Sequence, residues 1–217
     1  MEFLLTFQIT SLLMLHLIID TSSALAVVAL CRHEEILVMR QIESHLLSAS
    51  LMMRIDEVLK AAGHTIHQLN FIACGIGPGS FTGTRIGVVS TKAMAYSLNL
   101  PIVDFYSPLL FLPADHLGPF HIATDAKSKQ VYFLSGTVEA DGEICAITCT
   151  LMPIDGLEPQ GAPIFSPDES LISQGKRWKL TGLDVGGVHR HILKKFQKGL
   201  TTTAEALSPL YLKSPSR

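Results

Sequence analysis

The segment from Gly75 to Gly87, GIGPGSFTGTRIG, constrains the fold of this chain more than any other. Five glycines and a proline stand between an apolar run, residues 70–73, and a stretch that carries no helix breaker after Gly87. That order predicts a buried strand, a tight glycine turn and a helix. Glycine tolerates positive φ and close backbone approach, so such a turn can aim bare N–H groups at an anion beside the helix N-terminus. The alternative is a turn whose glycines only let the helix pack closely on a sheet.

Spacing narrows the chemistry. A dinucleotide fingerprint needs its third glycine at position 80, where Ser80 stands, and the Gly-Lys-Ser/Thr ending of a P-loop is missing. Ser80 also lacks the flanking glycines of a nucleophile elbow. No two of the nine histidines are separated by three residues, the helical spacing of paired metal ligands. His64 and His67 flank a helix end and a loop, and His189 and His191 point to different sides of a helix. All four are expected on the surface, and neither a metal site nor a catalytic residue is assigned.

With 217 residues, 47% of them hydrophobic and 17% charged, the chain can bury a core as one or two domains. The cysteines, Cys31, Cys74, Cys145 and Cys149, lie in or beside apolar runs and are expected as buried, reduced thiols. The first 19 residues are almost continuously apolar. They begin with Glu2 and contain no Lys or Arg, and Thr6, Gln8, Thr10, Ser11 and His16 interrupt the run. Neither a secretion signal nor a membrane span is therefore expected.

Strands are expected at 15–19, 24–30 and 36–39, with Asp20 to Ser23 turning between the first two. A helix at 45–62 ended by Gly63, a strand at 70–74, the glycine turn, a helix to about Leu98 and a strand at 102–105 follow. A three-stranded meander followed by helix, strand, helix and strand is the order of a ribonuclease H-like half-domain. After a loop at 108–117, strands at 120–124 and 131–138 open a smaller second half. The division is an extension at 1–13, a first half at 14–107 and a second at 108–217. No internal repeat is visible in the sequence.

On the helix at 45–62 the main apolar stripe is Leu47, Leu51, Ile55, Val58, Leu59 and Ala62, which suits a sheet. A second stripe, Leu46, Ala49 and Met53, lies to one side, and one sheet cannot easily bury both. On the next helix Gly83, Gly87, Ser90 and Met94 recur at helical spacing, and small residues admit a close neighbour. Arg85, Lys92 and Tyr96 make a polar strip there. These two helices are the candidate partner surface. Charge is uneven, +7 over residues 172–217 and −9 before them. The basic region suits phosphate contact or a solvated helix face, and it lacks the interleaved aromatics of base stacking.

Together with Thr91-Lys92-Ala93, the glycine string closely resembles the signature of the TsaB (YeaZ) family of bacterial tRNA threonylcarbamoyladenosine biosynthesis proteins. Further matches are Leu17 to Asp20 with Thr21 and Ser22, His45 heading a helix, Asp125-Ala126-Lys127 leading to Val131-Tyr132, and Pro209-Leu210-Tyr211-Leu212 near the end. They are dense over residues 15–105. The resemblance implies an α/β fold of two ribonuclease H-like half-domains of the actin, Hsp70 and sugar-kinase (ASKHA) superfamily, the second half smaller and degenerate. Members of that superfamily place a phosphate-binding hairpin after the first strand, so Asp20, Thr21 and Ser22 with Gly77, Gly79 and Ser80 are the candidate phosphate cradle. Against this stands an aspartate that caps its own turn.

The resemblance further implies a cytoplasmic, non-catalytic subunit. It would bind a TsaD-type transferase that places threonylcarbamoyl on N6 of adenosine 37 in tRNAs reading codons that begin with A. The helix pair would meet its counterpart on the transferase in a four-helix contact, or a second copy of the chain when alone. A TsaE-type ATPase belongs to the same assembly, ATP is consumed by the pathway rather than held here, and tRNA is met indirectly or through the basic C-terminal region. An ATP-dependent phosphotransferase and a metallopeptidase-like protein are the alternatives. Family chains begin shortly before the first strand, which makes Met14 the expected start. The sequence departs from the pattern at Lys127, where arginine is usual, at Met94, where glycine is usual, and over 156–187. With Gly83 and Gly87 on the partner surface, Gly87→Arg is expected to block pairing and leave the chain folded.

Overall fold

A computed structural model describes residues 14–155, 157, 161–172 and 178–213. The expected extension at 1–13 and parts of the 156–187 region lie outside the described residues.

The first sheet contains β1 (Leu15–Asp20), β2 (Leu25–Arg32), β3 (Glu35–Glu43), β4 (Phe71–Gly75) and β5 (Ile102–Phe105) in the order β3-β2-β1-β4-β5. β1 pairs antiparallel with β2 and parallel with β4. β1 is buried throughout because both of its faces are covered, and its side chains alternate between two cores. Ile18 packs with Phe71 and Val103 on one face, Leu17 and Ile19 with Ile55 and Val58 on the other.

The second face is covered by α1 (Leu47–Ala61) and α2 (Phe81–Leu98). α1 buries Leu47, Leu51, Ile55, Val58 and Leu59, the stripe that its spacing predicts, and a single 3-10 turn, Ser44–Leu46, precedes it. Ser80 caps α2 by accepting the Gly83 N–H at 3.2 Å, and Asn99 ends it in the left-handed conformation.

The second sheet holds β6 (Gly118–Asp125), β7 (Gln130–Val138), β8 (Ile144–Pro153), β9 (Ile164–Ser166) and β10 (Trp178–Leu180) in the order β10-β9-β6-β7-β8. A meander, then two strands added in parallel beside the first, is the topology of the first sheet again. Among the described residues no helix joins β8 to β9, and the counterpart of α2 is the single turn α3 (Glu169–Ile172). The second half is thus a reduced copy of the first. α4 (Val185–Gln197) starts at the Asp184 cap, whose Oδ1 accepts the Gly186 N–H at 2.9 Å, and lays Val188 and Ile192 into a core shared by Phe71 and Val103 of the first sheet and Phe120 and Leu134 of the second.

Several surface expectations are corrected. His189 and His191 are buried, because α4 turns them into the protein. Met94 is buried beneath α2. Cys31 and Cys74 are buried as expected, while Cys145 and Cys149 are half-buried, and all four are free. Among the described residues no helix is long and apolar enough to cross a membrane.

Candidate functional site

Each half ends its first strand in an aspartate that caps the following turn. Asp20 Oδ1 accepts the Ser22 N–H at 3.0 Å and the Ser22 Oγ–H at 2.9 Å, and Asp125 Oδ1 accepts the Lys127 N–H at 2.7 Å. The two turns contribute to one cleft of about 640 Å³, lined by Ser22, Gly79 and Ser80 on one side and Asp125, Lys127 and Asp168 on the other. That volume suits a small molecule.

The first wall is sealed. Asp20 is 1% exposed, and its Oδ2 accepts the hydroxyl of Ser107, whose Oγ in turn accepts the Gly77 N–H at 2.8 Å. Burial pushes the Asp20 carboxyl above its ordinary value, against the opposing pull of the hydrogen bonds from Ser107 and Ser22. Thr21 Oγ1 donates to the Gly83 carbonyl at 2.7 Å. A Cβ on Gly79 would overlap Ser22, and one on Gly83 or Gly87 would overlap Thr21. These glycines admit the β1–β2 turn of the same chain, which corrects their assignment to a partner surface.

The phosphate cradle fares poorly for the same reason. The N–H groups of Ile76, Gly77, Ser80, Gly83 and Thr84 are all donated within the chain, to Phe105 O, Ser107 Oγ, Ser22 O, Ser80 Oγ and Ser80 O. Of the six cradle residues, Ser22, Gly79 and Ser80 reach the cleft, while Asp20, Thr21 and Gly77 lie behind it. Ser107 was not marked by any motif spacing; a Ser-Pro turn signal after β5 is its only trace in the sequence.

The second wall is open. Lys127 Nζ lies 2.6 Å from Asp125 Oδ2 with its side chain 84% exposed. Burial alone would raise the Asp125 carboxyl, but its bonds to Lys127 outweigh that and hold it below the ordinary value. Lys127, Ser128 and Lys129 all adopt left-handed φ, near +60°, a strained run for residues with a Cβ. The C-terminal segment bridges the walls. The Leu210 N–H donates to Ile76 O at 2.8 Å, Lys213 Nζ donates to Ala126 O at 2.8 Å, and Arg85 Nε donates to the Tyr211 hydroxyl at 2.7 Å.

A second surface lies on the outer side of α1 and α2. Leu46, Ala49 and Met53 are exposed there, as their spacing predicts, and Ser90 is half-buried. Tyr96 of the expected polar strip is 75% exposed beside them, and unexpected companions are Met52 and Val89 (64% exposed). Val89 keeps helical spacing with positions 93 and 96, the signal that could have revealed it. The basic C-terminal region is largely engaged internally. Lys194 pairs with Asp141, Lys198 with Glu143 and Lys195 with Asp104, the last at 3.0 Å, and Arg190 donates to Ala114 O. Lys176, Arg177 and Arg217 lie outside the described residues.

The family model described as TsaD, tRNA N6-adenosine threonylcarbamoyltransferase, matches residues 38–166. The tRNA threonylcarbamoyladenosine biosynthesis protein TsaB of Haemophilus influenzae is 30% identical over 125 residues, 54% of this chain and 51% of that protein. TsaB of Bacillus subtilis is 34% identical over 122 residues, 54% and 52% of the two chains. The chain therefore spans about half the length of the curated relatives it matches. The solved structure of YeaZ from Pseudomonas aeruginosa has the same fold, with a TM-score of 0.80, 22% identity, and coverage of 92% of this chain and 100% of that one. Because the family match extends over more than half of the sequence and the relatives within it are TsaB proteins, the chain belongs to the TsaD-type tRNA N6-adenosine threonylcarbamoyltransferase family, in its TsaB (YeaZ) group of the glycoprotease-like superfamily.

Proposed function

We propose that this chain serves threonylcarbamoyladenosine formation in tRNA as a non-catalytic subunit, and that it docks a TsaD-type transferase on the outer face of α1 and α2. The observation that carries this reading is the run of exposed apolar side chains Leu46, Met52, Met53, Val89 and Tyr96 on two adjacent helices. The relatives' TsaB names supply the pathway, and the match to a transferase family model supports a partner of the same descent. Such a partner would present an equivalent helix pair, giving a four-helix contact in which the methionines adapt to the opposing surface. A second copy of the chain would use the same face when the transferase is absent. The glycine turn favours a supporting role over phosphoryl chemistry, since most of its N–H groups are already donated within the chain.

The test is a Met53→Glu/Val89→Glu double variant, assayed for co-purification with the transferase of the same organism and for modified adenosine 37 by mass analysis of tRNA. A folded variant that loses both supports the reading. One that keeps the transferase and full modification overturns it. The cleft favours a second reading, a bound adenine nucleotide, and calorimetry with ATP on the isolated chain would decide it.

A further inference from the structure

Three side chains that no spacing motif connects meet inside the protein. His16 on β1 and Cys31 on β2 are direct cross-strand partners, so both leave the same face of the sheet. His189 reaches them from α4. One ligand atom from each residue lies within 4.8 Å of the other two, and all three residues are buried.

The imidazoles are oriented as ligands. Nε2 of His16 and Nε2 of His189 are buried without a hydrogen-bond partner, an unusual condition for a polar atom in a protein interior. The other nitrogen of the His16 ring is held by backbone, with Nδ1 3.4 Å from the Met14 carbonyl oxygen. Tying one ring nitrogen to a carbonyl leaves the lone pair of the other free, which is how proteins prepare histidine for a metal. The His16 ring is further fixed by stacking on Phe71 at 4.4 Å, and Phe71 by stacking on Phe196 of α4 at 4.2 Å. His33 Nδ1 is likewise buried and unpartnered.

We propose that His16, Cys31 and His189 supply three ligands of a buried site for a tetrahedral metal ion of the zinc class. Bonds of about 2.0–2.3 Å to nitrogen and sulfur require the cluster to contract only modestly. Cys31 would bind as the thiolate, the metal–sulfur bond replacing the S–H bond with release of one proton. The ion would clamp the β1–β2 hairpin of the first half to α4.

The full-length chain, unfolded and refolded with cobalt(II) as the probe, tests this. One cobalt per chain, a sulfur-to-cobalt charge-transfer band and about one proton released per ion are expected. Cys31→Ser removes the band, the Cys145→Ser/Cys149→Ser double variant keeps it, and His189→Gln weakens affinity more than about tenfold. Failure to retain cobalt, or a band that survives Cys31→Ser, overturns the site. Should the Cys31 and His189 variants fail to fold, X-ray absorption of the cobalt-loaded wild type decides: one sulfur with nitrogen neighbours supports the site, and two sulfurs or an all-oxygen shell overturns it.

Discussion

Asp20 and Asp125 occupy the same place in two sheets of identical topology, cap their turns with the same backbone bond, and live in opposite surroundings. Asp20 is enclosed by Ser22, Ser107 and the glycine turn, and burial raises its pKa. Asp125 shares its second oxygen with a solvent-exposed Lys127, which lowers its pKa. The turn itself does not decide between these outcomes. What differs is the element that follows the fourth strand of each half: a full helix, α2, packs over the first turn, whereas the single helical turn α3 leaves residues 127–129 uncovered.

The largest effect should come from forcing the sealed wall apart. Gly87→Arg places a side chain where Thr21 Oγ1 sits and displaces the Thr21–Gly83 bond, so a loss of more than about 3 kcal/mol is expected. Denaturant unfolding measures it. This replaces the expectation that the variant stays folded and loses only its partner, and a wild-type midpoint would show that the wall is not sealed. Next come the paired alanine variants. Asp20→Ala orphans buried hydroxyl and N–H groups and should cost about 2–3 kcal/mol, whereas Asp125→Ala, at an accessible ion pair, should cost less than about 1 kcal/mol. Equal losses would erase the distinction between the turns.

Acidity separates them further, because the two shifts have opposite signs. The Asp20 pKa is raised in the folded state, so folding binds its proton more readily and this group favours the folded chain more as pH falls into the carboxylate range. The Asp125 pKa is lowered, so its stabilisation is present above the ordinary carboxylate value of about 4 and is lost as pH falls through the folded value. The destabilisation by Asp20→Asn should therefore grow on acidification, and that by Asp125→Asn should shrink. Urea midpoints at neutral and acid pH check both, and parallel slopes would refute the contrast.

Much of this architecture is legible in the sequence, and the exceptions share a cause. The end of α2 at Leu98 and the bounds of β5 follow from local signals, namely a breaker-free stretch after the glycine turn and a short apolar run. Helical spacing also marks Gly83 and Gly87 as one stripe. It cannot name their neighbour, because Thr21 lies 62 residues from Gly83 in the chain. His189 is expected on the surface because it and His191 point to different sides of a helix, and only the tertiary packing of α4 turns it toward His16. Ser107 is silent for the same reason: its partner Asp20 is 87 residues distant. The duplication of the halves escapes the sequence because topology is a property of strand pairing, and different residues satisfy the same pairing.

The smallest expected effect tests whether the second turn is strained or supported. Ser128 has φ +57°, between Lys127 at +62° and Lys129 at +58°. A left-handed residue with a Cβ carries roughly 1–2 kcal/mol of steric cost. Glycine removes that cost but adds about 0.5–1 kcal/mol of unfolded-state entropy. Ser128→Gly should therefore stabilise the chain by up to about 1 kcal/mol, read as a small rise in melting temperature. A glycine in the sealed turn, Thr21→Gly, should do the reverse, because it removes the hydroxyl bonded to Gly83 O. If Ser128→Gly instead destabilised the chain, the left-handed run would owe its shape to side-chain contacts, and the second turn would be as closely held as the first.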